Sequence, residues 1–496
     1  MASIDHTELE RLQAKNEHYN QAAPSWDWST TLQEGKLSVA ETRKKWIPKT
    51  TREEDGDSGK KQYDKRIKIT QYAPITPGLV TRILGAVWQT EPTRELPKTG
   101  DLDQFVARCT RNMVRKESLG SVSRQALENV LWHDYCLALL DRRATNEPHH
   151  TKADDKRLGL EWPYVTLFHP TQVFDWTFNE DGDLDYVKLV TQRRERPNVV
   201  VTEYREVEAD KVVWSTHRKS DETETLSTKT VELEGPLAEA GLLPVVVCNI
   251  NRTDGLRGRS PLRGALSAEL NAMLLAADYR WDLHLSSHPH LVTWTERMLG
   301  DIQPDSSTYT KLKPGRDSEP AEDMKWVEIA GAGLKEQAEA YKDARASIYS
   351  QAEVDPKGAL GNPATGDAPS GVTVAYQFTT NEARLLTAVA EAADLFETEV
   401  LRLVAIDKGI LKFEEADEQI NTLYSKDFGL KSQQSMQHDV SWSRMENGPE
   451  ATITKIARKK ANLAIAGNVD QATKEKIITE SEKGYDPPRP EFGDEE

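Results

Sequence analysis

The sequence predicts a helix-rich α+β chain, and three observations carry that expectation. Apolar residues recur at helical spacing up to Leu140 and again after Gly255, whereas between Trp162 and Leu233 the period drops to two. A length of 496 residues points to about three domains rather than one compact core. With 37% hydrophobic residues, adding the 28 Gly and dropping the 14 Tyr, the apolar share is roughly 40%, below the about 45–50% of an ordinary globular chain, so a single dense core is disfavoured.

The elements follow in order. Residues 1–62 form a polar N-terminal segment with helix-like stretches, and residues 50–61, rich in Asp, Gly and Lys, read as an exposed loop. Leu79, Val80, Ile83, Leu84 and Val87 mark a core-facing helix, and residues 105–140 read as a second, longer one. Alternation at Tyr164, Thr166 and Phe168, then over residues 173–178 and 186–190 across the polar turn 179–183, predicts a hairpin. It feeds a meander through residues 199–204, 212–216 and 228–233.

Ser260 and Pro261 are an N-cap and a first-turn proline, opening a helix with Leu262, Leu266, Leu270, Met273, Ala277 and Trp281 on one stripe. It ends before Pro289 and is roughly 40 Å long. Short β-like runs at 291–294 and 324–329 flank a basic turn holding Lys311, Lys313 and Arg316. Leu334, Ala338, Tyr341, Ala344 and Ile348 mark a narrower amphipathic helix. Residues 355–371, made of Gly, Pro, Ala and Asp with Lys357 as their basic residue, predict a mobile loop. A helix of roughly 50 Å follows, carrying Val374, Phe378, Leu385, Val389, Phe396, Val400 and Leu403 to a stop at Gly409. Long helices with thin apolar stripes suggest packing against neighbouring subunits.

Charge narrows the function classes. The 81 acidic residues outnumber the 64 basic ones for a net charge of −17, which argues against a general coat for nucleic acid or an anionic membrane. The apolar run at 240–250 contains a proline and is too short for a bilayer, and Met1 to Asp5 lacks the basic and apolar regions of a secretory signal. Cys109, Cys136 and Cys248 fit neither a disulfide framework nor a metal spacing and read as buried thiols in a reducing compartment.

Motifs for chemistry are weak throughout. Residues 56–60 and 255–260 miss the phosphate-loop pattern by spacing or by the lysine. His284 and His288 stand four apart like a zinc pair, yet no Glu follows His284, and His149 with His150 reads as a polar loop. With Gly182 at the sixth place of a calcium loop, the first and twelfth ligands would be Thr177 and Lys188, so a hairpin turn fits better. Lys455, Arg458, Lys459 and Lys460 form the densest basic run, read as a solvated helix face or a phosphate contact. No catalytic constellation, cofactor or metal site emerges.

The order of these elements resembles the portal, or head-to-tail connector, proteins of tailed bacteriophages. Carrying the resemblance are residues 63–88 before Glu91 and Pro92, the hairpin from Trp162 through Trp176 to Val190, and Leu243 to Val246. Gly258 to Leu262 opening a helix that ends near His288 to Leu291, Ser370 to Thr373, Asp439 to Trp442, and the helices from Pro449 and Asp470 continue it. The resemblance spans about 63–485. The short region after Gly467 departs from it, leaving little material for a large crown.

The resemblance implies a non-enzymatic ring, usually of twelve subunits, at one capsid vertex, with double-stranded DNA passing through its channel. It implies a portal-like fold: wing 63–260, stem helices 261–287 and 333–354, clip 288–332, channel loop 355–371, long helix 372–408, and wing return with short crown or tail 409–496. DNA-channel candidates are then Lys357, Lys335, Lys342 and Arg345; subunit-interface candidates are Leu266, Leu270, Met273, Trp281, Tyr341 and Ile348; clip-docking candidates are Lys311, Lys313 and Arg316. Implied partners are the chain itself, DNA, the major capsid protein, the large terminase and head-completion adaptors, in the virion and in the host cytoplasm during assembly. Excess carboxylate would keep a duplex mobile, although the same charge also serves solubility. The other function class left open is a soluble oligomeric hydrolase whose site the sequence hides.

Overall fold

The computed structural model describes residues 6–54, 56–97, 102–110, 117–141, 162–180, 182–220, 223–233, 235–251, 256, 258–286, 290–294, 323–327, 332–353 and 382–426. In chain order these build α1 (His6–Gln13), α2 (Glu17–Gln33), α3 (Lys36–Trp46), α4 (Thr51–Glu54), α5 (Gly56–Ile69), α6 (Thr76–Val87) and β1 (Thr93–Glu95). Next come α7 (Leu102–Ala107), α8 (Leu119–His133), β2 (Tyr135–Asp141), β3 (Tyr164–Phe168), β4 (Val173–Phe178), β5 (Leu184–Arg196), β6 (Val199–Glu208), β7 (Lys211–Ser220) and β8 (Glu224–Glu232). The described chain closes with α9 (Pro236–Glu239), β9 (Val245–Asn249), α10 (Arg263–Ser286), β10 (His290–Trp294), β11 (Asp323–Val327), α11 (Ala332–Gln351), α12 (Ala383–Asp407), α13 (Phe413–Gln419) and β12 (Asn421–Leu423). The fold is α+β. It divides into two compact units, one from residues 1–29, 78–263 and 353–496 and the other from residues 30–77 and 264–352.

In the first unit the period-two residues form an antiparallel meander in the order β4-β5-β6-β7-β8. Val187, Leu189, Val207 and Val212 face a core shared with Tyr135, Leu137 and Leu139 of β2, Phe168, and Tyr19 and Trp26 of α2. Alternation puts Val190 and Tyr204 on the opposite face, where Leu12 of α1 covers them. Strand β3 pairs with β2 rather than with the meander, in a second sheet ordered β3-β2-β9.

Residues 105–140 are not one helix. Helix α8 ends at His133, Asp134 takes a positive φ of 73°, and residues 135–141 become β2, buried on both faces. A short continuous apolar run fits a doubly covered strand as well as a buried helix, and only the neighbouring strands decide between them. The same ladder sets Cys136 directly opposite Cys248, although the sequence separates them widely. Both thiols are free, and burial pushes Cys136 up to about 12.

Helix α12 departs from the thinly striped helix read from the sequence. Sixteen of its residues, from Leu385 to Ile406, are buried around most of its circumference, so this chain rather than a neighbouring subunit covers it. It stops where Gly409 adopts a φ of 64°, a left-handed C-terminal turn that glycine makes without strain. The expected helix start near Ser370 lies outside the described residues.

In the second unit residues 51–54 and 56–61, part of the stretch expected as a loop, are helical. Thr50 and Glu53 supply the reason, because the Glu53 carboxylate accepts the Thr50 N–H at 2.9 Å, half of a capping box. Glu53 also holds Arg66 of α5 through two bonds of 2.9 and 2.8 Å, and both side chains are almost fully buried. Strands β10 and β11 pair antiparallel between α10 and α11 in the chain. Among the described residues, no helix is long and apolar enough to cross a membrane.

Candidate functional site

The residues singled out by the sequence concentrate on α10 and α11. Ser260 accepts the Leu262 N–H at 3.1 Å through Oγ, the capping bond its sequence predicts, and α10 follows from Arg263. At 1.5 Å per residue, α10 and α11 are about 36 and 30 Å long.

Three contacts set the two helices antiparallel. Gly264 lies against Gln351, Tyr279 stacks on Tyr341 with ring centroids 6.5 Å apart, and Gln337 donates to Asp282 at 2.6 Å. Position numbers fall along α11 as they rise along α10, and the β10–β11 ribbon connects their adjoining ends through the chain.

The rest of the second unit grips α10 through buried charge. Glu269, fully buried, accepts the Tyr72 hydroxyl at 2.9 Å, the Ile75 and Thr76 N–H groups at 2.5 and 2.8 Å, and the Thr76 hydroxyl. A carboxylate placed on the first N–H groups of α6 satisfies donors that no intrahelical bond can reach and favours the positive end of the helix dipole. Burial and the Glu269 charge raise the Tyr72 hydroxyl far above its usual range. Arg66 reaches Asp278 of α10 at 3.1 Å as well as Glu53. Burial alone would raise Glu53, but its bonds to Arg66 and Thr50 hold it below the ordinary carboxylate value.

Sequence reading missed Glu269, since a lone Glu between Ala268 and Leu270 carries no pattern. The Thr50 to Glu53 spacing was a readable signal for the other anchor.

Of the interface candidates, Leu266, Met273 and Ile348 are buried by the chain itself, with Met273 and Ile348 at 0% exposure. Within one chain their side chains are thus already packed, Leu266 retaining 7% exposure. Leu270, Trp281 and Tyr341 stay half-buried.

Lys335, Lys342 and Arg345 are all exposed on α11. At 100° per residue they share one flank, and the exposed Glu336, Glu339 and Asp343 occupy the adjoining one. Lys357, Lys311, Lys313 and Arg316 lie outside the described residues, as do His288, His149 and His150 and the basic run at 455–460. His284 lies against the Trp281 ring at 6.0 Å.

Two buried polar clusters in the first unit are anchors of the fold. Glu397 of α12, at 0% exposure, accepts two bonds from Arg94 at 2.8 and 3.2 Å, one from Ser123 at 2.8 Å and one from Tyr424 at 2.6 Å. His133 and His169 meet nitrogen to nitrogen at 2.8 Å. Burial, then the neighbouring ring, lowers His133 to about 2, and burial lowers His169 to about 4, so both imidazoles are neutral.

What these features define is a two-unit α+β protein with an antiparallel helical pair carrying opposite charges on adjoining flanks. No family model matches the chain, and no curated protein matches it. Among matching solved structures is a chain from a structure described as the neck of an empty GTA particle computed with C6 symmetry. It is 13% identical, covers 83% of this chain and 89% of its own length, and gives a TM-score of 0.41, a likeness too slight to carry a function across.

Proposed function

We propose that the chain is the portal protein of a tailed phage or phage-like particle, a ring at one capsid vertex and a conduit for double-stranded DNA. The supporting observation is the antiparallel α10–α11 pair interrupted by the β10–β11 ribbon, the stem and clip order that the sequence resemblance implies. In this reading Leu270, Trp281 and Tyr341 meet neighbouring stem helices, and Lys335, Lys342 and Arg345 face the DNA. The acidic flank of Glu336, Glu339 and Asp343 beside them limits the grip and leaves the duplex free to slide.

Residues 355–371 are the channel loop, with Lys357 as their phosphate contact. Residues 288–332, through Lys311, Lys313 and Arg316, dock the large terminase and later the head-completion adaptors, while the wing meets the major capsid protein. The protein acts in the virion after assembling in the host cytoplasm. It is a structural conduit without a reaction of its own.

Mass in solution tests the reading. Twelve chains of 55.8 kDa make a ring of about 0.6–0.7 MDa, visible in electron micrographs as a particle with a central hole. A monomer at all concentrations would overturn it. Deleting residues 358–368 is expected to leave the ring intact and reduce the DNA content of particles; full-length packaging would reduce the loop to a surface linker.

A further inference from the structure

The second unit carries a charged surface that the portal reading does not use. Residues 36–68 hold eleven Lys and Arg against six Asp and Glu, in a chain whose net charge is −17. Folding sorts these charges. Arg66 turns inward to Glu53, and Arg43 is spent on the backbone carbonyls of Ala40 and Thr70. Lys44, Lys45, Lys49, Lys60, Lys61, Lys65 and Lys68 stay outside. Lys61, Lys65 and Lys68 are exposed on α5 at positions i, i+4 and i+7, within one strip of the helix.

Exposed Lys44, Lys45 and Lys49 lie at and beyond the end of α3. That end packs beside α5, because Tyr63 donates to the carbonyls of Lys44 and Ile47 at 3.1 and 2.8 Å. Two acids of α5 itself are engaged: Asp64 pairs with Lys44 at 2.6 Å and Asp57 with Lys60 at 3.9 Å. Among the described residues, Lys61, Lys65 and Lys68 make no ion pair.

We propose that the Lys61, Lys65 and Lys68 stripe of α5 is a binding surface for the phosphate backbone of duplex DNA, separate from the helix pair α10–α11. The proposal does not rest on ring formation. Seven residues of helix span about 10.5 Å, the rise of about three phosphates along one strand at 3.4 Å each, so three amines can meet three successive phosphates. Chemistry favours this partner over a protein. Protein interfaces are centred on apolar or aromatic anchors and depleted in lysine, and among the described residues the large exposed apolar ones, Val231, Leu283, Leu395, Phe413 and Leu423, lie outside α3 and α5. A membrane-seated helix would likewise need an apolar face to insert, and the inward face of α5, with Tyr63, Arg66 and Ile67, is buried in the protein.

Binding of a short labelled DNA duplex to the full chain, followed by fluorescence anisotropy between about 50 and 200 mM salt, tests this. Lys61→Gln, Lys65→Gln and Lys68→Gln combined remove three phosphate contacts, lowering the slope of log affinity against log salt by about 2.7. Wild-type affinity should therefore fall about 40-fold more than that of the variant over this range. The variant should melt like the wild type because all three side chains are exposed.

Lys335→Gln, Lys342→Gln and Arg345→Gln combined should leave the stripe's share of the slope in place. Equal slopes for wild type and stripe variant, absence of duplex binding, or equal binding of polyglutamate or anionic vesicles would each overturn the proposal. Sample mass, read in parallel, reports on the portal reading alone.

Discussion

Helix α12 of the first unit and the α10–α11 pair of the second handle their surfaces in opposite ways. Sixteen residues of α12 are buried, with Glu397 neutralised deep inside by Arg94. On residues 333–351 of α11 burial is confined to Ala344 and Ile348, and the others are half-buried or exposed, with charges sorted onto two flanks. A helix enclosed by its own chain over most of its circumference contributes mainly stability, and α12 leaves only a narrow exposed strip that includes Leu395. One that spends a narrow stripe on its own chain keeps the rest of its circumference for others.

The largest expected effect strikes the enclosed helix. Arg94→Met leaves the Glu397 carboxylate buried without its cation and should cost about 3–5 kcal/mol in denaturant unfolding. A cost below about 1 kcal/mol would mean that Ser123 and Tyr424 suffice to hold the charge, weakening the contrast between the regions.

Acid should separate the units next. His133 and His169 bind protons in the unfolded chain near their ordinary value of 6.5 but in the folded chain only near about 2 and about 4. Their contribution is present above pH 6.5 and lost as pH falls below it, by about 1.4 kcal/mol per pH unit for each proton taken up. Glu53 in the second unit is shifted the usual carboxylate way, so its contribution is lost only as pH falls below its ordinary value of 4.5. Hydrogen exchange at pH 5 should therefore rise first in α8 and residues 169–172, and His169→Gln should flatten that response. Simultaneous loosening of α5 would contradict the assignment.

Two glycines give a smaller, paired test. A Cβ on Gly258 would come within 2.6 Å of the Ile250 carbonyl and 2.9 Å of the Asp134 carbonyl, both backbone, so Gly258→Ala should cost about 1–3 kcal/mol. On Gly264 the Cβ meets the Gln351 side chain at 2.6 Å, and that exposed residue can swing away. Gly264→Ala should lower stability by less than about 1 kcal/mol, measured by thermal melting. Equal costs would show the α10–α11 contact to be as rigid as the first unit.

The smallest change in stability should accompany Leu270→Asp, at a half-buried position, within about 1 kcal/mol. Under the portal reading its effect should appear as loss of the proposed ring by mass photometry. Met273→Asp makes the counterpart, because a carboxylate at 0% exposure should unfold the unit instead of dissociating a ring.

Much of the local order was legible in the chain. The meander followed from alternation at residues 186–190, 199–204 and 212–216, since a strand with two different environments writes its period into the sequence. Ser260 announced α10 and Gly409 the end of α12, because caps act over one turn and use few residue types. What failed were segments whose environment comes from distant residues. Residues 135–141 read as helix because burial on both faces erases the period, and residues 50–61 read as loop because their composition hid the pairing of Glu53 with Arg66.

The same division holds for the surfaces. By itself the sequence determined which residues are charged, where the capped start of α10 and the glycine stop of α12 fall, and the order of two long helices around a short β excursion. Tertiary structure decided which of those side chains remain available: it buried Met273 and Ile348, spent Arg66 and Arg43 internally, and left Lys61, Lys65 and Lys68 in solvent. The physical reason is that a charge or a methyl group is local to its residue. Desolvation depends on every element packed around it, and that packing is set by residues far away in the chain.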